Sequence, residues 1–536
     1  MNNEQQVMNI IDKLDNSRRN QIIFLGLLGL SALIIRLYIF PFDVPFFNDS
    51  QDYFWYAIDT SLLNKFPEGH NLTNNGWPIF VSIFFQLTDS NNFLDYQNIQ
   101  RFMGVIFSVA TIFPVYLLCT RFVKKSYSLL GATLFIFEPR LIQNSSIGTP
   151  ESMYVFLIAS LIALFLSTNF KKIYLAFLIA GLISLVRYEG ILIILPLTIM
   201  FFVRFRSRRN DLLKYIICIM IFSLIVIPVA YMKNESMGQD GFVSHISAGP
   251  KYYQATIQEN NSSIMDFLKK GIINMTKFLG WIQIPSFLIF VPVGIIFFLK
   301  KIDYKKMMII LTVIIILLPA FYAYSRDFAD TKYLYALFPI FSLLGCFTFE
   351  KIFCKYNKKN LIFCLIFMGI ILSSTIFISW KSVDNEHYRE TYQILSEISK
   401  KDMMINVDFG KYGNEITYFH WTRLNHVEDF PILKMSLPEN IVNHVKRQYI
   451  EKAEITSFDE YLILLKKQNV THLLIDEKNS GGILIDDNLR GELVYVFHNE
   501  HEFPFLTKEY DSREKGFTYH LKVFKINFDK ISEKMN

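Results

Sequence analysis

Cysteine is scarce in this chain and unpatterned. Five occur in 536 residues, Cys119, Cys218, Cys346, Cys354 and Cys364, and no two stand in a C-x-x-C spacing. That speaks against a zinc-type ligand set and against a disulfide framework. Charge is thin as well: Asp, Glu, Lys and Arg make up 19% of the residues, with a formal net charge of +6. The basic excess sits in clusters between apolar runs, so it reports on membrane sidedness and not on a nucleic-acid partner. No internal repeat recurs at the periods of roughly 20–50 residues that mark solenoids and propellers. The polar opening MNNEQQVMNIIDKLDNSRR is unlike a cleaved signal peptide. Val7, Ile10, Ile11 and Leu14 recur at helical spacing within it, which suits a short interfacial helix or a solvated tail.

Apolar residues are what the chain has in excess: 52% are hydrophobic, 16% are aromatic, and 52 are Phe. A hydrocarbon core takes about 20 apolar residues per helix. The runs 22–40, 99–120, 128–142, 150–167, 173–186, 191–203, 215–232, 281–299, 307–323, 333–349 and 361–380 give about eleven such helices. The run 77–87 is too short to cross and reads as a re-entrant or interfacial helix. With the amino terminus inside, every inner turn is basic: 121–125, 171–172, 204–209, 300–306 and 351–359. The outer loop 41–97 carries only Lys65 near the membrane. This is the positive-inside pattern, which a miscounted helix would scramble. The N-x-S/T triplets, from Asn48 to Asn469, fall on the outer side.

After Trp380 the composition turns soluble over about 155 residues, a normal domain size. The stretches MMINVDF (403–409) and THLLIDE (471–477) read as buried strands, and SFDEYLILLKKQN (457–469) reads as a helix with a Ser cap. The expected fold is therefore an α-helical polytopic membrane protein with a C-terminal extracytoplasmic α/β domain. Residues 1–20 form a cytoplasmic or interfacial segment, 21–380 the transmembrane domain, and 381–536 the outer domain. A multi-pass protein of the plasma membrane is implied.

Candidate chemistry gathers on one side. The stretch FFNDSQDYFWYAIDT (46–60) puts Asp49, Asp52 and Asp59 among aromatics at the mouth of the first helix. FEPRLIQNSSIGTPESMY (137–154), LVRYEG (185–190) and SRDFADTKYLYALFP (325–339) place further charges at outer helix ends. Ionisable groups at membrane depth are costly and mark a site or pathway, although helix ends are wet and a single charge there costs little.

NDSQDYFWYA resembles the first outer loop of the polyprenol-dependent glycosyltransferases of the GT-C fold. Asp49, Ser50, Tyr53 and Ala57 match a D-S-x-x-Y-x-x-x-A variant of it. The runs at 100–118, 150–164 and 330–344 look like that superfamily's second and fourth helices and its R-Y helix. The count of eleven helices and an outer C-terminal domain are similar to those of protein O-mannosyltransferases and aminoarabinose-transferase-like relatives of bacterial or archaeal type. The match departs in places: Ser50 stands where those enzymes carry Glu, and Lys332-Tyr333 stands for Arg-Tyr. The W-W-D-Y-G motif of oligosaccharyltransferases and a MIR-type insert are both lacking.

The resemblance implies a sugar donor on a polyprenyl (dolichyl) phosphate, a protein or glycan acceptor, and a membrane lipid environment. Transfer then needs a base for the acceptor hydroxyl, and Asp49, expected at the boundary and partly buried, is placed for it. Cations face the departing phosphate: Arg326 and Lys332 first, then Arg187, then Arg140, with Tyr333 alongside. Asp52 and Glu151 are candidates for binding sugar or acceptor, or a Mg²⁺ or Mn²⁺ ion that the sequence does not require. Tyr53, Trp55, Tyr56 and Trp77 suit stacking on sugar or, as readily, an interfacial aromatic belt. Asp59 serves to cap or solvate a short helix. The rival classes are a transporter, which places charges near the midplane, and a non-catalytic polyprenyl-phosphate-binding protein of surface glycan assembly.

Overall fold

The structure is a computed structural model that describes residues 10–46, 49–68, 72–90, 92–205, 211–248, 264–328, 330–398, 403, 405, 455–467, 469–477 and 487–535. The strand expected at 403–409, apart from Met403 and Ile405, lies outside the described residues. So do the stretch NSGG at 479–482, whose composition signals a turn, the loop basic residues at 206–209, Val7, and Asn48, Asn71, Asn260 and Asn261.

The chain divides into two compact units. The first comprises Met1–Phe40, Leu63–Phe84 and Ile99–Trp380; the second comprises Pro41–Leu62, Phe85–Asn98 and Lys381–Asn536. The second thus takes in two pieces of the stretch that follows the first span, together with the C-terminal region.

The first unit is helical. Among the described residues six helices are long and apolar enough to cross a membrane: Arg18–Tyr38, Phe93–Cys119, Asp211–Met237, Tyr304–Ser325, Thr331–Lys355 and Lys359–Trp380. A seventh span results if the pair Ile264–Ile282 and Phe287–Phe298, bent by 111°, counts as one. All the apolar runs expected to cross are helical, but the others form shorter pieces. Run 128–142 divides into Lys125–Ile136 and Pro139–Ser145, because Pro139 opens a new helix where it lacks an N–H to continue the old one. Run 191–203 begins as a 3₁₀ turn, Tyr188–Ile193, before the helix Ile194–Arg204. Run 77–87 is the 11-residue helix Gly76–Gln86. Arg36, a cation inside the first span, is fully buried and donates to Ser108 Oγ at 2.9 and 3.1 Å and to the Ala32 and Ile136 carbonyls. A buried guanidinium requires such a full set of acceptors.

The second unit is built on a three-stranded antiparallel sheet of β1 (His472–Asp476), β2 (Leu506–Asp511) and β3 (Leu521–Ile526), in the order β1-β3-β2. Both faces of β1 are covered, so it is buried at all five positions. Side chains alternate across a strand. Leu473, Ile475, Phe524 and Ile526 therefore pack on the helices Phe458–Lys467 and Asp487–His498. Leu474, Leu521 and Val523 pack on the other side with Tyr392, Ile394, Leu395 and Ile398. This is the expected α/β domain, and Ile405 adds a parallel bridge to His472. Val44, from the segment after the first span, belongs to that second apolar layer.

Candidate active site

Four segments of the first unit, the helices Glu151–Phe165 and Tyr304–Ser325 and the 3₁₀ turns Tyr188–Ile193 and Thr331–Leu337, line one pocket together with Arg187. Its lining combines the apolar side chains of Ile158, Ile193, Ile315, Ile316 and Pro319 with Tyr154, Arg187, Glu189, Lys332 and Tyr333.

Arg187 is central to the polar part of the lining. It follows the helix Lys171–Val186 in an extended conformation (φ −142°, ψ 121°) that ends the helix and starts the 3₁₀ turn. Its guanidinium reaches Glu151 Oε1 at 2.9 Å and Glu189 Oε1 at 2.6 Å. Tyr154 and Tyr333 lie against it, with its Cζ 5.7 and 5.5 Å from their ring centroids. Glu151 is the first residue of the helix Glu151–Phe165, where the helix dipole favours a carboxylate. Lys332 is held from Asp330, whose side chain accepts from the Lys332 backbone N–H at 2.9 Å and lies 3.0 Å from Nζ. Asp330 thereby caps the 3₁₀ turn Thr331–Leu337.

A short stretch before the helix Gly76–Gln86 holds these ends in register. Tyr188 N–H donates to Asn74 Oδ1 at 3.1 Å, and Trp77 Nε1 donates to the Gly148 carbonyl at 2.8 Å. Gln100 Nε2 donates to the same carbonyl at 2.7 Å, and Lys233 Nζ donates to the Thr73 carbonyl at 2.5 Å. Gly76 lies so close to the Leu185 carbonyl that a Cβ would sit 2.5 Å from it, which only glycine tolerates. Trp77 is wholly buried, so it is a strut, neither a sugar platform nor a belt residue.

The other expected cations lie elsewhere. Arg140 is buried beside Glu138 (3.1 Å) and donates to the carbonyls of Trp281, at 2.8 Å, and Ile284. It braces the break between the bent helices and is not among the residues lining the pocket. Arg326 caps the helix Tyr304–Ser325, exposed, with the Tyr322 and Phe328 rings 5.5 and 5.2 Å from its Cζ. It is not among the lining residues either.

In the second unit, Asp49 is the first residue of the helix Asp49–Leu63 and Asp52 lies in its first turn. Asp49 is exposed, where partial burial was expected, and Asp52 is half-buried. Tyr53, Trp55, Tyr56 and Asp59 are buried. Trp55 packs edge-on against Phe54 at 4.8 Å, so Trp55 and Tyr56, both fully covered, are core residues. The chain leading to Asp49 is pinned: Gln97 Oε1 accepts from Phe46 N–H at 2.9 Å, and Asn98 Nδ2 donates to the Phe42 carbonyl at 2.9 Å. Among the described residues no three His, Cys, Asp or Glu side chains are grouped so as to hold a metal ion.

Glu189 and Tyr154 are site residues that the sequence did not single out, although both stand in the stretches 185–190 and 137–154 quoted above. The usable signal for Glu189 was its place two residues from Arg187, a carboxylate and a cation at one helix end.

No protein family matches the sequence, and no curated protein matches it. Solved structures do. The apo oligosaccharyltransferase of Archaeoglobus fulgidus superposes with a TM-score of 0.55 at 14% identity, covering 86% of this chain and 70% of that one. The same archaeal enzyme, AglB, in complex with an inhibitory peptide and a dolichol-phosphate, gives 0.51 at 14% identity over the same shares. ArnT from Cupriavidus metallidurans, bound to undecaprenyl phosphate, gives 0.53 at 8% identity over 95% of this chain and 98% of that one. The fold is that of the GT-C glycosyltransferases.

Proposed function

We propose that the protein is a membrane glycosyltransferase that moves a sugar from a polyprenyl phosphate to an acceptor hydroxyl, with inversion, at the outer face of the plasma membrane. The observation that carries this reading is the mixed lining of the pocket. Its isoleucines and proline suit isoprenoid carbons, and Lys332 and Tyr333 suit a phosphate headgroup. Small-ligand sites combine an apolar lining with a few placed polar groups in this way. That solved GT-C structures hold dolichol-phosphate and undecaprenyl phosphate supports the same donor class.

In the step we propose, the acceptor oxygen attacks C1 of the sugar and Asp49 takes its proton. The bond from C1 to the lipid phosphate breaks from the opposite face, and its electron pair leaves with the phosphate oxygen. Lys332 is the cation for that oxygen. Arg187, engaged by two carboxylates, orients the polar lining and is the secondary cation; Asp52 positions a substrate. The lack of the W-W-D-Y-G motif speaks for a hydroxyl acceptor, on a protein or a glycan, over an asparagine amide.

The test uses purified protein in mixed micelles with radiolabelled polyprenyl-phosphate sugars and a panel of peptide and glycan acceptors. Label moving to an acceptor, dependent on the lipid phosphate, is the expected result. Binding of the lipid with no transfer to any acceptor identifies a non-catalytic carrier protein instead.

A further inference from the structure

At the polar part of the pocket one cation meets two carboxylates. Arg187 binds one oxygen of Glu151 and one of Glu189, with side chains 8%, 4% and 10% exposed. One guanidinium faces two carboxylates, so the trio sums to one negative charge. Lys332, also in the lining, stands with Asp330 at 3.0 Å. The second oxygens, Glu151 Oε2 and Glu189 Oε2, are buried with no hydrogen-bond partner. Buried acceptors of this kind call for a donor, because a carboxylate taken from water without one is costly. Glu189 lines the pocket itself, together with the phenol rings of Tyr154 and Tyr333.

We infer that Glu189 Oε2 accepts hydrogen bonds from hydroxyl groups of the transferred sugar, and that Glu151, by making the trio negative, restricts that sugar to neutral or cationic kinds and rejects uronates. This rests on the donor reading above and names its substrate class. Bonds to a charged acceptor are directional and strong, and a site built around a substrate hydroxyl discriminates sharply against donors that leave it unpaired.

The experiment compares undecaprenyl-phosphate-linked neutral hexoses (glucose, mannose, galactose) with the matching glucuronate and galacturonate. Wild type is expected to use a neutral donor and to refuse the uronates. Glu189→Gln is expected to lower kcat/KM for the preferred neutral donor by about ten- to a hundredfold, the loss of one charged hydrogen bond. Glu151→Gln is expected to narrow the neutral-to-uronate ratio. Each ratio is internal to one preparation, so a partly folded variant does not bias it. Wild type that prefers a uronate, or variants with unchanged ratios and full transfer, overturn the inference and leave the glycosyltransferase reading intact. Wild type that transfers sugar from none of the donors overturns that reading, and this inference with it.

Discussion

Arg389 grips Asp43 with two hydrogen bonds, Nε to Oδ2 at 2.6 Å and Nη2 to Oδ1 at 3.1 Å. Both belong to the second unit, and Asp43 stands six residues before Asp49 in the chain. The helix Lys359–Ile398 therefore holds the approach to the proposed base through Arg389, while Glu390, beside it, accepts from the backbone of Thr518 and Tyr519.

The pair is about half exposed, 44% and 50%, so its worth to stability is small, about 0–1 kcal/mol. Arg389→Asp is expected to leave Tm nearly unchanged yet lower transfer several-fold, as the approach to Asp49 loosens. The swap Asp43→Arg with Arg389→Asp is expected to recover part of it. Transfer rates and thermal melts of the three proteins check this; a double variant no better than the single one removes the positioning role.

Asp49→Asn keeps size and hydrogen bonding but cannot take a proton. Its transfer rate is expected to fall by roughly 10²–10⁴, the usual contribution of a general base, with donor affinity little changed. Asp52→Asn is expected to raise KM more than it lowers kcat. Near-normal turnover by the Asp49 variant marks that residue as a solvated helix end and removes the base assignment.

Lys332→Ala is expected to cost about ten- to a hundredfold in donor use, a charged hydrogen bond to phosphate, while Lys332→Arg keeps much of it because the role is mainly charge. The measurement is donor kcat/KM at fixed acceptor. An alanine variant with full activity moves the phosphate away from this pocket.

Sidedness is tested by labelling. Cys354 and Cys364 are exposed, so a cysteine-free background is required. A cysteine at Ser207 is expected to react with an impermeant maleimide only after permeabilisation, and one at Ser480 without it; both positions lie outside the described residues. The opposite pattern inverts the topology.

Much of the helical half was legible because long apolar runs have few other solutions. Hydropathy averages over a window, however, and a window does not see a break. The division at Glu138-Pro139 and the bend around Pro285 both fall inside runs that read as continuous. In the site, Arg187, Lys332 and Tyr333 were legible as residue types at helix ends, and they share one pocket. Arg140 shows the limit: a cation at a helix end serves a phosphate or a broken helix's carbonyls equally well, and only its hydrogen bonds to Trp281 and Ile284 decide. The pairing of Glu189 with Arg187 was hidden for the same reason, since nothing in LVRYEG says which neighbour a side chain turns toward.

Val44, buried among Leu395, Leu474 and Val523, changes how the molecule is to be cut. The drop in hydrophobicity after Trp380 invites a truncation at that point, or a chimera that borrows the region beyond it from a relative. Either one separates Val44 from its neighbours and bares an apolar layer that a free fragment would bury by aggregating. The exchangeable part is discontinuous. A graft intended to alter the acceptor has to carry residues 41–62 and 85–98 together with the C-terminal region, and so brings the segment holding Asp49 with it.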